Sequence, residues 1–170
     1  MGYIHDVNLS LWVPPSAFMF SAGTWTDYAA AGNLWSRVRT AADASFWIYV
    51  PIPLLSHTAT TKGSYLKAIE FVYSIETAAC DNFATVQIWM DAWQADGSPI
   101  IPTNRAATVD TLHDTAAERL AVDDHKMIVT LDEAAWIING QMYHLDMLVD
   151  AAAATVFKAF GALVKYTLRL

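Results

Sequence analysis

Apolar residues along this chain recur at every second position far more often than at every third or fourth. Between Tyr65 and Cys80 (YLKAIEFVYSIETAAC), Ile69, Phe71, Tyr73 and Ile75 fall on one side and Glu70, Ser74 and Glu76 on the other. Successive side chains leave a strand on opposite faces, so this period marks a half-buried strand and not a helix. The same alternation predicts strands at Leu9–Val13, at Ser45–Pro53 and at Phe83–Trp93, where Val86, Ile88 and Met90 oppose Gln87, Trp89 and Asp91. It recurs at Lys126–Leu131, at Gln141–Asp150 with Tyr143, Leu145, Met147 and Val149 inward, and at Ala159–Leu170 with Phe160, Ala162, Val164, Tyr166 and Leu168 inward. Leu34–Thr40 is a weaker strand, and Ile100–Thr111 a further one whose Pro102 confines its start to a sheet edge.

Turn chemistry separates these runs. Pro14-Pro15 closes the first, Pro51 and Pro53 put the end of Ser45–Pro53 at an edge, and Ser21–Asn33 and His57–Gly63 read as loops. Asp96-Gly97 is the most compact hairpin signal, and Asn139-Gly140 marks a second tight turn. Asp132–Ile138 (DEAAWII) opens on a capping residue and predicts a short helical turn. Thr115–Val122 reads equally as one or two helical turns or as irregular loop. Eight to nine short antiparallel strands with little helix predict an all-β jelly roll or β-sandwich. No linker or repeat interrupts it. Residues 1–30 form an N-terminal arm and first strand of the same domain, and 31–170 its body.

Composition changes this picture in one respect. The 170 residues are 55% hydrophobic, with seven each of Trp, Tyr and Phe, against a usual ~45–50% apolar share. That surplus points to apolar surface covered by another chain, hence to a homo-oligomer. A net charge of −7 excludes the basic footprint that nucleic acid requires. The apolar stretches are too short to span a bilayer, so no membrane partner is expected. The first residues, MGYIHDVNLS, lack the basic and apolar regions of a secretory leader. Cys80 is the single cysteine, so no internal disulfide forms, and it reads as a small apolar filler.

Five histidines invite a metal or acid–base reading. Asp123-Asp124-His125 alternates in direction if it lies on a strand, and reads as a solvated turn. His144 and Asp146 share a strand face, a legitimate ligand spacing, although a site needs further groups from a neighbouring strand. No nucleophile elbow, zinc-protease, P-loop or dinucleotide motif occurs. The expectation is a protein that is not an enzyme and uses no cofactor or metal. Trp89 and Trp93 lie on the polar face of their strand, where they either stack sugar rings or pack against a second sheet or subunit; packing is the favoured reading. Tyr3, Trp12, Phe18, Phe20 and Trp25 concentrate in the first thirty residues, as in an arm laid on a neighbour. These seven aromatics are the candidate interface residues.

Three segments, LSLWVPPSAF, FWIYVPIPLL with KGSYLKAIEFVYSIETAACDNFATVQIW, and YHLDMLVDAAAATVFKAFGALVKYTLRL, resemble the small jelly-roll virion proteins of tailed bacteriophages, capsid-decoration proteins among them. The likeness runs from about Leu9 to Leu170 and has no counterpart between Ala106 and Asp124. It implies a trimer made in the host cytoplasm that binds the major capsid protein and cements the phage head. The alternative is a carbohydrate-binding jelly-roll module or the receptor-binding domain of a phage fibre or spike.

Overall fold

The computed structural model describes residues 5–29, 35–54, 63–94, 96–98 and 100–169. Each long alternating run becomes a strand: β1 (Asp6–Val13), β5 (Ala44–Ile52), β6 (Ser64–Glu76), β7 (Asn82–Ala92), β10 (Asp123–Trp136), β11 (Gln141–Ala151) and β12 (Val156–Arg169). Shorter pieces complete the set: β2 (Met19–Phe20), β3 (Trp25–Ala29), β4 (Trp35–Arg39), β8 (Ile101–Arg105) and β9 (Ala107–Val109). One sheet runs β3-β4-β12-β6-β10-β9, with β1 also paired to β12; the other runs β2-β5-β11-β7-β8. Every pairing is antiparallel.

The chain is folded double. β1 pairs with β12, β5 with β11, β6 with β10 and β7 with β8. The doubled ribbon is distributed over two facing sheets, which is a jelly roll. Its tip is the connection between β7 and β8, where Gly97 takes φ +82° and the Asp96 carboxylate accepts from Ser98 N–H at 2.9 Å. Between the sheets lies an aromatic core. Phe46, Tyr73, Phe83 and Phe157 are fully buried, with ring centroids 5.4–6.4 Å apart along the chain of contacts. Among the described residues no helix is long and apolar enough to cross a membrane.

Five sequence expectations need correction. Asp123-Asp124-His125, expected as a solvated turn, opens β10, and His125 is buried. The predicted strand Ile100–Thr111 divides at Ala106 into β8 and β9, which join opposite sheets. The predicted turn at Asp132–Ile138 is strand as far as Trp136 instead, because β10 resumes pairing with β6 after an irregularity between Thr130 and Ala135. The predicted loop Ser21–Asn33 contains β3, which pairs with β4 throughout its length. In β12 register shifts at Gly161 and between Lys165 and Tyr166 change the phase, so Ala159 and Thr167 are buried and Phe160, Tyr166 and Leu168 only partly so. The region left open at 115–122 holds one helical turn, α1 (Ala116–Arg119), closed by a Thr115/Glu118 capping box. The predicted turn at His57–Gly63 lies outside the described residues except for Gly63.

Candidate functional site

The outer faces of the two sheets differ in chemistry. That of the seven-stranded sheet is laced with ion pairs: Lys158–Glu76 at 2.6 Å, Lys165–Glu70 at 3.4 Å and, toward its margins, Arg37–Asp27 and Arg169–Asp6. This is a solvated surface. The three central strands of the other sheet, β5, β11 and β7, contain no lysine or arginine at all. Their inward positions (Phe46, Ile48, Val50; Tyr143, Leu145, Met147; Phe83, Ile88) fill the core. Period two therefore turns Trp47, Tyr49 and Pro51, then His144, Asp146 and Leu148, then Gln87, Trp89 and Asp91 to the outside.

Register brings these together. Tyr49 faces Asp146, Asp146 faces Gln87, and His144 lies between Pro51 and Trp89. Trp47 and Tyr49 stand nearly parallel, 15° apart with centroids at 6.2 Å. Both nitrogens of His144 meet carboxylates: Nδ1 lies 2.5 Å from Asp146 Oδ1 and Nε2 lies 3.1 Å from Asp91 Oδ2. The hydrogen bond to Asp146 and the two negative charges raise the pKa of His144 against the effect of its burial. Burial, then the Asp146 charge, raises that of Tyr49. Beside this triad lies a hollow of about 170 Å³ lined by Met19, Tyr49, Pro51, Asp91, Met142 and His144. Met19 and Met142 on its rim are 61% and 58% exposed. A larger hollow, about 320 Å³ between Pro14, Pro15, Asp27 and Trp35, has its one charged side chain already engaged by Arg37.

The candidate aromatics separate. Tyr3 lies outside the described residues. Phe18 is a core residue against Phe71, and Phe20 stacks on Trp25 at 3.6 Å where both pack against the core. Residues 5–29 thus supply β1, β2 and β3 to this chain's own sheets. Trp12 is half exposed on β1 and covers Gly161. Trp89 stands in the outer face beside His144, and Trp93, just past β7, is 68% exposed. The expected sharing of a face by His144 and Asp146 is found, and the group supplied by a neighbouring strand is Asp91. Trp47 and Tyr49 are absent from the sequence candidates; the signal for them is their alternation with Phe46, Ile48 and Val50.

A second histidine cluster is buried. His113 and His125 approach through Nε2 and Nδ1 at 3.3 Å, with His113 also on Asp110 and His125 stacked on Tyr73. Next to it the Arg119 guanidinium donates to the carbonyls of Phe83, His113, Asp114 and Ala84. The cluster ties the 110–122 connection to the sheets. Among the described residues no three His, Cys, Asp or Glu side chains converge as a metal site. Cys80 is buried, and burial pushes its thiol up to about 12.

No protein-family model matches the chain, and no curated protein matches it. Solved structures do. TmCBM61 in complex with β-1,4-galactotriose overlaps 92% of this chain and 86% of its own, at 12% identity and TM-score 0.38. The enzymatically active domain of bacteriophage CBA120 tailspike protein 4 overlaps 90% of this chain at 9% identity and TM-score 0.38; the match spans 19% of that chain. A structure of carbohydrate-binding modules from the β-sandwich superfamily overlaps 92% of this chain and 55% of its own, at 9% identity and TM-score 0.38. At that identity and score none of these likenesses bears on what the chain binds.

Proposed function

We propose that the protein is a carbohydrate-binding β-sandwich module whose ligand lies on the outer face of the five-stranded sheet. The observation that carries this is the make-up of that face. Trp47, Tyr49 and Trp89 stand beside Gln87, Asp91 and His144, and β5, β7 and β11 lack the lysines and arginines that solvate the opposite sheet. Aromatic faces take the C–H side of a sugar ring, and a few placed carboxylate, amide and imidazole groups take its hydroxyls. Strands hold such groups more rigidly than loops do. A receptor-binding domain of a phage fibre or spike would use the face in the same way.

Titration with a panel of neutral oligosaccharides, followed by tryptophan fluorescence and calorimetry, tests the proposal. Binding is expected for at least one, and Trp89→Ala or Trp47→Ala weakens it tenfold or more, about 1.4 kcal/mol, with the β-sheet circular dichroism unchanged. A flat response across neutral and charged glycans alike overturns it.

A second reading, the head-decorating homotrimer on the major capsid protein, draws on exposed Trp12, Tyr28 and Trp35 on the seven-stranded side. Light scattering and co-sedimentation with phage heads test it. A monomer that stays in the supernatant defeats that reading.

A further inference from the structure

We infer that the outer face of the five-stranded sheet takes glycans without acidic groups and rejects those carrying carboxylate or sulfate. This rests on the carbohydrate reading and adds the ligand class. The charges on that face are unbalanced. Asp91, Asp146 and Asp150 point outward from β7 and β11, and the one basic group among them is the imidazole of His144. That imidazole is not available to an anion, since each of its nitrogens is already bonded to a carboxylate of the protein. Strands β2 and β5 bring no charge of either sign.

Among its strands, the five-stranded sheet carries one arginine, Arg105 on β8. Its register partner is Ile88, a fully buried residue, so the backbone turns Arg105 to the core side of the sheet while Asn104 and Pro102 share the outer side with Trp89 and Asp91. A carboxylate or sulfate laid over Trp89 would therefore lie beside the partly buried Asp91, with no cation among the described residues to receive it. Like charges in such a setting repel strongly, and salt weakens the repulsion. The uncharged hydroxyls of a neutral sugar meet acceptors instead: the Asp91 carboxylate and the Gln87 amide oxygen. The hollow beside His144, at about 170 Å³, is smaller than the roughly 300–1,000 Å³ that encloses a whole small molecule. It admits one ring-sized unit, leaving the rest of a chain on the aromatic surface.

The test pairs neutral gluco-, galacto- and manno-oligosaccharides with their uronate and sulfated counterparts, titrated by calorimetry at low salt and again in 0.5 M sodium chloride. The expected result is binding of a neutral member at least tenfold tighter than its acidic counterpart at low salt, with the gap narrowing at high salt. Gln87→Lys, which adds a cation opposite Asp146, narrows the gap at low salt as well. Equal or tighter binding of the acidic counterpart by the unaltered protein overturns this inference and leaves the carbohydrate reading standing. Failure of every glycan, acidic ones included, overturns the reading and the inference together.

Discussion

His144 and Gly161 show how single positions carry stability here. Each nitrogen of His144 lies against a carboxylate, one of them on a buried aspartate, so the protonated ring can donate to both, and its folded pKa is raised by those partners. A raised basic pKa adds stability that is fully present below the unfolded value of about 6.5 and fades as pH climbs through the folded value. His144→Gln should therefore cost about 1–2 kcal/mol in urea unfolding near pH 5.5, and the loss should shrink as pH rises above the folded value. A difference that stays flat with pH contradicts this account. Gly161 has φ +143°, and a Cβ there would lie 2.2 Å from Trp12 Cζ2. Gly161→Ala should lower stability by about 2–3 kcal/mol. Adding Trp12→Ala should recover part of that loss, because the clash goes and the backbone conformation remains; no recovery would remove Trp12 from the explanation.

At the scale of elements, the irregular connection from Asp110 to Val122 is tied to the sheets by several side chains, among which Arg119 meets the most carbonyls. Arg119 is 5% exposed and satisfies four carbonyls of β7 and the loop. Arg119→Leu keeps the bulk and strands those carbonyls, of which the Phe83 and His113 contacts are buried and cost free energy when unmet. The expected loss is about 3 kcal/mol or more, read from the denaturation midpoint, with hydrogen exchange rising first between 110 and 122. An unchanged midpoint would show that water replaces the guanidinium.

Elements also show where local reading stops. DEAAWII carries helix-forming residues and a cap, yet β6 claims it. Ala135 and Trp136 pair with Leu66 and Tyr65, and the Trp136 ring meets Tyr65 edge-on at 4.3 Å. Long-range pairing outweighs a propensity of a few tenths of a kcal/mol per residue. Phe160 fails for a related reason: a single-residue shift at Gly161 moves every earlier side chain to the other face.

For the molecule as a whole, the doubled chain buries Cys80 where the β6–β7 connection meets Leu120, through a Cys80 N–H to Leu120 carbonyl bond of 3.2 Å. With the thiol pushed up to about 12, almost no thiolate exists at neutral pH. A thiol reagent should leave the native protein unmodified for hours and react completely in denaturant. Rapid native modification would mean that this end of the sandwich opens. The hairpin signal at Asp96-Gly97, the most compact in the sequence, lies at the fold's tip, about which the two halves of the chain pair.

Sequence alone determined the class of fold and the inward face of nearly every long strand, because the alternation of a strand is a property of its own backbone. It also marked Trp89, and His144 with Asp146, as outward residues on single strands. Tertiary structure decided what those residues became. Trp47 and Tyr49 on β5, Trp89 and Asp91 on β7 and His144 on β11 are some forty to a hundred residues apart and share a surface only through the β5-β11-β7 register. That register follows from which strands bury which faces against the opposite sheet, a condition met by the whole core at once and written in no single segment.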